Sequence, residues 1–123
     1  TDKAIFEIDS MKNRMDQVNE LLRREMARVL EAEMDLPLGT LVTIDHVLTS
    51  RDLKHAKIFL TILPLDKEQE VFMLLRKNIR DLQYELHQNI NLRVSPKIFF
   101  VIDEAQKRAR HIEKIMDTMP PLE

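Results

Sequence analysis

Apolar residues recur along this chain in three helical stripes and three short strand-like runs. The first stripe is Met11, Met15, Val18, Leu22, Met26 and Val29, widened by Leu21 and Leu30. Steps of three and four line one face of a helix. That helix should end near Glu33 and Met34, because Pro37 cannot continue it and biases Leu36 toward extended backbone. Residues 1–9 leave two readings open: Ile5, Phe6 and Ile8 either prolong the helix or pack as a flexible arm. The methionines at helical spacing read as core, with an adaptable partner-binding groove as the alternative.

Gly39 is the only glycine. Placed after Leu36-Pro37-Leu38 and before a β-rich run, it suits a tight turn with positive φ. Leu41–Thr49 alternates with a change of phase: Val42 and Ile44 share one parity and Val47 takes the other. A β-bulge near Asp45-His46 would return Val47 to the core side. Ser50-Arg51-Asp52-Leu53 reads as a turn. Ala56–Ile62 then places Ala56, Ile58, Leu60 and Ile62 on one face, and the short link makes the two strands an antiparallel hairpin that Pro64 stops.

The longest pattern spans Asp66 to Asp103. Val71, Leu75, Ile79, Leu82, Leu86 and Ile90 form one unbroken stripe, and Asp66 stands at capping-box distance from Gln69. This predicts one long, nearly straight helix. Ile98-Phe99-Phe100-Val101-Ile102 is aromatic and β-branched throughout, as expected of a strand covered on both faces. Asp103 caps a last helix with Gln106 at the capping distance; its stripe is Ala105, Ala109, Ile112, Met116 and Met119, and Pro120-Pro121 ends it. The order helix, strand, strand, long helix, strand, helix predicts an α+β open sandwich: a three-stranded sheet with helices on one face.

Composition narrows the function. The chain has 123 residues, enough for one core, and no Cys, which removes disulfides and thiolate metal sites and suits a reducing, cytoplasmic setting. No run approaches the ~20 apolar residues of a membrane helix. Net charge is -2, but it is unevenly spread: residues 1–50 hold 6 basic and 10 acidic side chains, residues 51–123 hold 13 and 11. Between Val71 and Ile98 the basic residues Arg76, Lys77, Arg80, Arg93 and Lys97 face only Asp81 and Glu85. Such a locally basic centre permits a polyanion-binding face, with ordinary solvated helix faces as the alternative.

Catalytic chemistry is missing. His46, His55, His87 and His111 are scattered, and no HExxH, glycine-rich phosphate loop or GxSxG is present. His46 and His55 could meet across the hairpin with Asp45 or Asp52, the one arrangement that would favour a metal-dependent hydrolase. The expectation is no enzyme, no metal, no cofactor and no small-molecule substrate.

Four stretches resemble the ribosome-binding factor A family, in order and in spacing. Ser50-Arg51-Asp52-Leu53-Lys54-His55-Ala56-Lys57-Ile58 is similar to the family's S-x-D-L-x-x-A-x-V segment. Leu38-Gly39-Thr40-Leu41-Val42-Thr43-Ile44 resembles its entry to the first strand, and Leu92-Arg93-Val94-Ser95-Pro96-Lys97-Ile98-Phe99-Phe100 its L-R-x-x-P-x-L-x-F pattern. Asp103-Glu104 with His111-Ile112-Glu113 resembles its final helix. The likeness covers about Asn13 to Met119. It implies a type II K-homology-like fold over 1–123, with 1–9 as an optional arm and 120–123 as a tail. It also implies a non-enzymatic factor that binds the immature small (30S) ribosomal subunit, assists 16S rRNA maturation and supports growth in the cold; a monomer is the expectation, with a self-associating domain as the alternative. K-homology domains clamp single-stranded RNA with a GXXG loop. The family carries an Ala-x-Gly kink there, and this chain has Asn78-Ile79-Arg80 instead.

The candidate RNA contacts are therefore Arg76, Lys77 and Arg80 on the central helix, Arg93 and Lys97 flanking the third strand, and Arg51 and Lys54 at the hairpin turn. Each is expected to meet phosphate, with no base-reading role, since most of the five Phe look buried. A protein-binding module of the same fold without RNA binding is the rival, its surface on the Met-rich first helix.

Overall fold

The structure, a computed structural model, describes the backbone of residues 2–91 and 95–118, with side chains for 14–91, 95–110 and 112. Arg93, the tail 120–123 and the stripe positions Met11, Met116 and Met119 lie outside the described side chains.

The chain folds as an α+β structure in which a three-stranded sheet carries its core on one face. Helix α1 (Asp2–Glu33) ends where Pro37 requires, and its backbone takes in residues 2–9. Met26 is fully buried, so this part of the methionine stripe is core and not a free surface. Gly39 has φ +81° in the turn leading to strand β1 (Leu41–Thr49). That strand pairs antiparallel with β2 (His55–Leu63), and the register shifts between Ile44 and His46. The bulge is where the alternation predicted it, and both Ile44 and Val47 are buried. Strand β3 (Lys97–Ile102) lies parallel on the far edge of β2, in the order β1-β2-β3.

The hairpin turn is tied by Asp52. Its carboxylate accepts from Ser50 Oγ at 2.6 Å and from the Lys54 amide at 3.1 Å, while the His55 amide donates to Ser50 Oγ. These bonds are made to the charged form, and the Ser50 hydroxyl first, then the Lys54 amide, hold the Asp52 carboxyl below its ordinary value.

Four expectations need correction. First, Asp66 does not cap the long helix. It lies inside a 3₁₀ turn, Leu65–Lys67, closed by the Lys67 amide on Pro64 O, and helix α2 (Glu68–Lys77) starts after it without a side-chain cap. Second, the central helix is not straight. It breaks at Asn78 (φ -100°, ψ 11°) into α2 and α3 (Ile79–Asn89). Asn78 Nδ2 donates to Leu74 O at 2.8 Å, closing α2, while Asn78 O accepts from the Leu82 amide at 3.0 Å. Asn78 thus belongs to both ladders, its amide donating to Leu74 O at 3.3 Å and its carbonyl accepting from Leu82, which explains why the apolar stripe keeps its period in the sequence. Third, β3 is covered on one face only. Ile98 and Phe100 are buried, but Phe99 is 39% exposed, because α1, α2 and α3 all pack on the same side of the sheet.

Fourth, the last helix, α4 (Glu104–Thr118), does not lay its stripe on the core. Asp103 Oδ1 does accept from the Gln106 amide at 3.0 Å, the predicted cap. Lys107 Nζ reaches Glu68 at 3.0 Å, and Glu68 pushes its ammonium pKa up. Yet Ala105, Ala109 and Ile112 are exposed.

The core is one cluster, centred on Ala56, Ile58, Leu60 and Ile62 of β2, none more than 1% exposed. Ile58→Ala is expected to cost about 2–5 kcal/mol in urea unfolding, from lost transfer energy and the cavity left behind. Leu48→Ala, on the open face, should change stability by no more than about 0.5 kcal/mol. The lowered Asp52 pKa means that its contribution to the turn is whole above the ordinary carboxylate value and lost as pH falls through the lower folded one. NMR titration of the Ser50 and Lys54 amides should show a midpoint below that ordinary value, and Asp52→Asn should abolish the transition.

Candidate nucleic-acid interface

The break at Asn78 builds the site. An α-helix leaves its first amides without intrahelical partners. Because α3 restarts after the break with no side-chain cap, the amides of Ile79, Arg80 and Asp81 donate to no side-chain or loop acceptor among the described residues. They open an anion-accepting end, where the helix dipole favours negative charge. Arg80 is a cation in that first turn, where the dipole opposes it.

Across from this end runs the start of β3. Gln83, on α3, donates from Nε2 to Pro96 O at 2.7 Å and accepts the Ile98 amide on Oε1 at 2.9 Å. This pair of bonds fixes α3 against the edge strand and caps an edge amide that would otherwise be bare. The hairpin end closes the third side, because the Lys97 amide donates to Lys54 O at 2.8 Å. Between these elements lies an open groove of about 590 Å³ lined by Lys54, Ile79, Arg80, Gln83, Ser95, Lys97 and Ile98. Three cations stand around an apolar floor of Ile79 and Ile98, with no acidic side chain in the lining. Ser95 Oγ, buried in the same wall, has no hydrogen-bond partner among the described residues.

The seven predicted contacts divide. Lys54, Arg80 and Lys97 come together in the groove. Arg76 and Lys77 do not join them; they line a separate hollow of about 610 Å³ with Pro37, Glu70, Met73 and Leu74. In a straight helix Arg76 and Arg80 would share a face, and the break at Asn78 separates them. In the last turn of α2 the two cations also complement the dipole of their own helix. Arg51 is exposed in the hairpin turn, away from the groove lining. Arg93 lies outside the described residues. Gln83 and Ser95 were missed: a single glutamine beside a helical stripe carries no sequence signal of a bond to a distant strand. His46 stacks on Phe59 at 4.2 Å and pairs with Asp103 at 3.6 Å, and no metal-sized cluster of His, Asp or Glu occurs among the described residues.

Comparison with known proteins bears on this geometry. The family model described as Ribosome-binding factor A matches residues 14–116. A protein of that name from Nitrosococcus oceani is 39% identical over 106 residues, covering 85% of this chain and 84% of the relative. The crystal structure of ribosome-binding factor A from Thermus thermophilus superposes with a TM-score of 0.64 at 22% identity, over 72% of this chain and 94% of that one. A homology model of the Thermus thermophilus factor, fitted into the cryo-EM map of its complex with the 30S subunit, gives a TM-score of 0.56 over 68% of this chain and 89% of that one. At such identity the structures speak to the fold, while the family model and the sequence relative speak to kinship. By both, the chain belongs to the ribosome-binding factor A family.

Proposed function

We propose that this protein is a non-enzymatic assembly factor that binds the small ribosomal subunit in the cytoplasm and assists maturation of its 16S rRNA. The observation that carries the reading is the groove at the break: three cations, the uncapped start of α3 and an apolar floor, brought together from α3, β3 and the hairpin end. Phosphates would meet Lys54, Arg80, Lys97 and the first amides of α3, and the bases of a single strand would lie toward Ile79 and Ile98. An apolar floor without close aromatic stacking suits an extended, unpaired segment rather than a duplex, whose bases are hidden. Membership of the family, and the Thermus thermophilus relative fitted into a 30S complex, support the ribosomal subunit as the source of that strand. For the rival, a protein-binding module on the methionine stripe, Met26 is buried in the core while Met15 is half-buried.

Co-sedimentation with immature and mature small subunits across a salt series tests the reading. Binding should prefer immature subunits and weaken steeply with salt. Replacing Lys54, Arg80 and Lys97 together with Gln should lower the log–log salt slope by about 2, as expected for three phosphate contacts to a single strand. Replacing Arg76 and Lys77 instead should leave most of the affinity in place. Unchanged affinity and slope in the triple variant would remove the groove from the interface.

A further inference from the structure

Among the described residues no helix packs on the face of the sheet opposite α1, α2 and α3, and one end of it has a distinct chemistry. Strand parity sends Lys57 of β2 and Lys97, Phe99 and Val101 of β3 to this face, and the register sets Leu48, Lys57 and Phe99 in one row across the three strands. His55 and Lys97 form the next row toward the hairpin. The His55 and Phe99 rings lie 5.8 Å apart, and Lys97 Nζ stands 5.6 Å from the centre of the Phe99 ring. Phe99 is a large aromatic 39% exposed on an edge strand, a position the core does not use.

Cations outnumber carboxylates at this end. Lys57 and Lys97 flank the ring, with Lys54 beside them. The nearest carboxylate in the hairpin, Asp52, is occupied by Ser50 and the Lys54 amide. The other acidic groups of the face, Asp45 and Asp103, sit at the far end, engaged with Thr61 and His46. Aromatic rings interleaved with lysines are what an unpaired nucleotide requires: a flat apolar surface for the base and ammonium groups for its phosphates. The patch is also continuous with the groove, since Lys97 belongs to both and its amide is bonded to Lys54 O.

We infer that Phe99 and His55, with Lys57 and Lys97 as phosphate ligands, form a base-stacking subsite for single-stranded RNA on the open face of the sheet, reached by a strand that leaves the groove around the start of β3. The inference rests on the groove reading and extends it: the groove holds the backbone, and the sheet face holds a base. It gives the protein an affinity for unpaired bases that phosphate contacts alone do not supply.

The chain contains no Trp, so a Phe99→Trp variant carries a single reporter at the site. Titration with a short single-stranded oligoribonucleotide should quench its fluorescence, with the same saturation curve as anisotropy of the labelled RNA. An abasic oligomer of equal charge should bind and leave the fluorescence unquenched. Phe99→Ala should weaken binding of the normal oligomer roughly ten-fold, within the range for loss of one stacked base, and should not change binding of the abasic one. Quenching absent while binding persists and depends on Arg80 would overturn the stacking subsite and leave the groove standing. No RNA binding by the unaltered protein, with its fold intact, would overturn both.

Discussion

The constraint on which this structure depends is that a three-stranded sheet has room for helices on one face, and its middle strand sets which face. β2 is paired along both edges and sends Ala56, Ile58, Leu60 and Ile62 into a single core. All the helical cover must gather over those side chains. A straight helix from residue 66 to 89 would be about 36 Å long, while a nine-residue strand spans about 30 Å. Breaking the helix at Asn78 keeps both halves over the sheet, with Val71 and Leu75 on one side of the break and Leu82 and Leu86 on the other. The free amides of α3 are a by-product of that fit. The same packing requirement that builds the core therefore builds the anion-accepting end of the groove.

Much of the fold was legible because it rests on local rules. The phase change at Asp45-His46, the positive φ at Gly39 and the cap at Asp103 each have a signature that one turn of chain can carry. The break at Asn78 has none in the hydrophobic pattern, and is pointed to only by the family resemblance, whose kink falls on Asn78-Ile79-Arg80. Asn78 takes part in the hydrogen-bond ladders of both halves, which preserves the 3.6-residue period, so the stripe through Ile79 reads as continuous. The site was legible in part for a related reason. Lys54, Arg80 and Lys97 stood out as cations near predicted element ends. Their separation from Arg76 and Lys77 depends on the direction α3 takes after the break, which composition does not encode. Gln83 was invisible because its partners, Pro96 O and the Ile98 amide, belong to another element. The exposure of Phe99 was hidden by its neighbours: a run of five apolar residues looks doubly buried until the sheet is known to have one bare side.

Net charge is a poor guide to this molecule. The formal value of -2 averages an acidic first helix with a groove that has no carboxylate in its lining. Interaction with a polyanion is governed by the local field, and over a Debye length of about 10 Å the excess acid elsewhere is largely screened. An acidic body also disfavours indiscriminate adhesion to nucleic acid. Selectivity for one strand in one place then comes from the groove, whose shape is fixed by hydrogen bonds through Gln83 and Lys54 rather than by charge.

The parallel pairing of β3 has a kinetic consequence. A parallel neighbour cannot follow its partner through a tight turn. Here residues 64–96, including both halves of the broken helix, are inserted between the two strands. Closing that loop costs chain entropy before β3 returns any contact, so docking of β3 is set among the later events of folding. The hairpin, in contrast, is local and can form early. The groove walls come from the hairpin end, from α3 and from β3, so no pair of early elements suffices to make it. Only a chain that has completed this closure presents the groove, and affinity for its ligand is thereby a property of the chain with β3 docked.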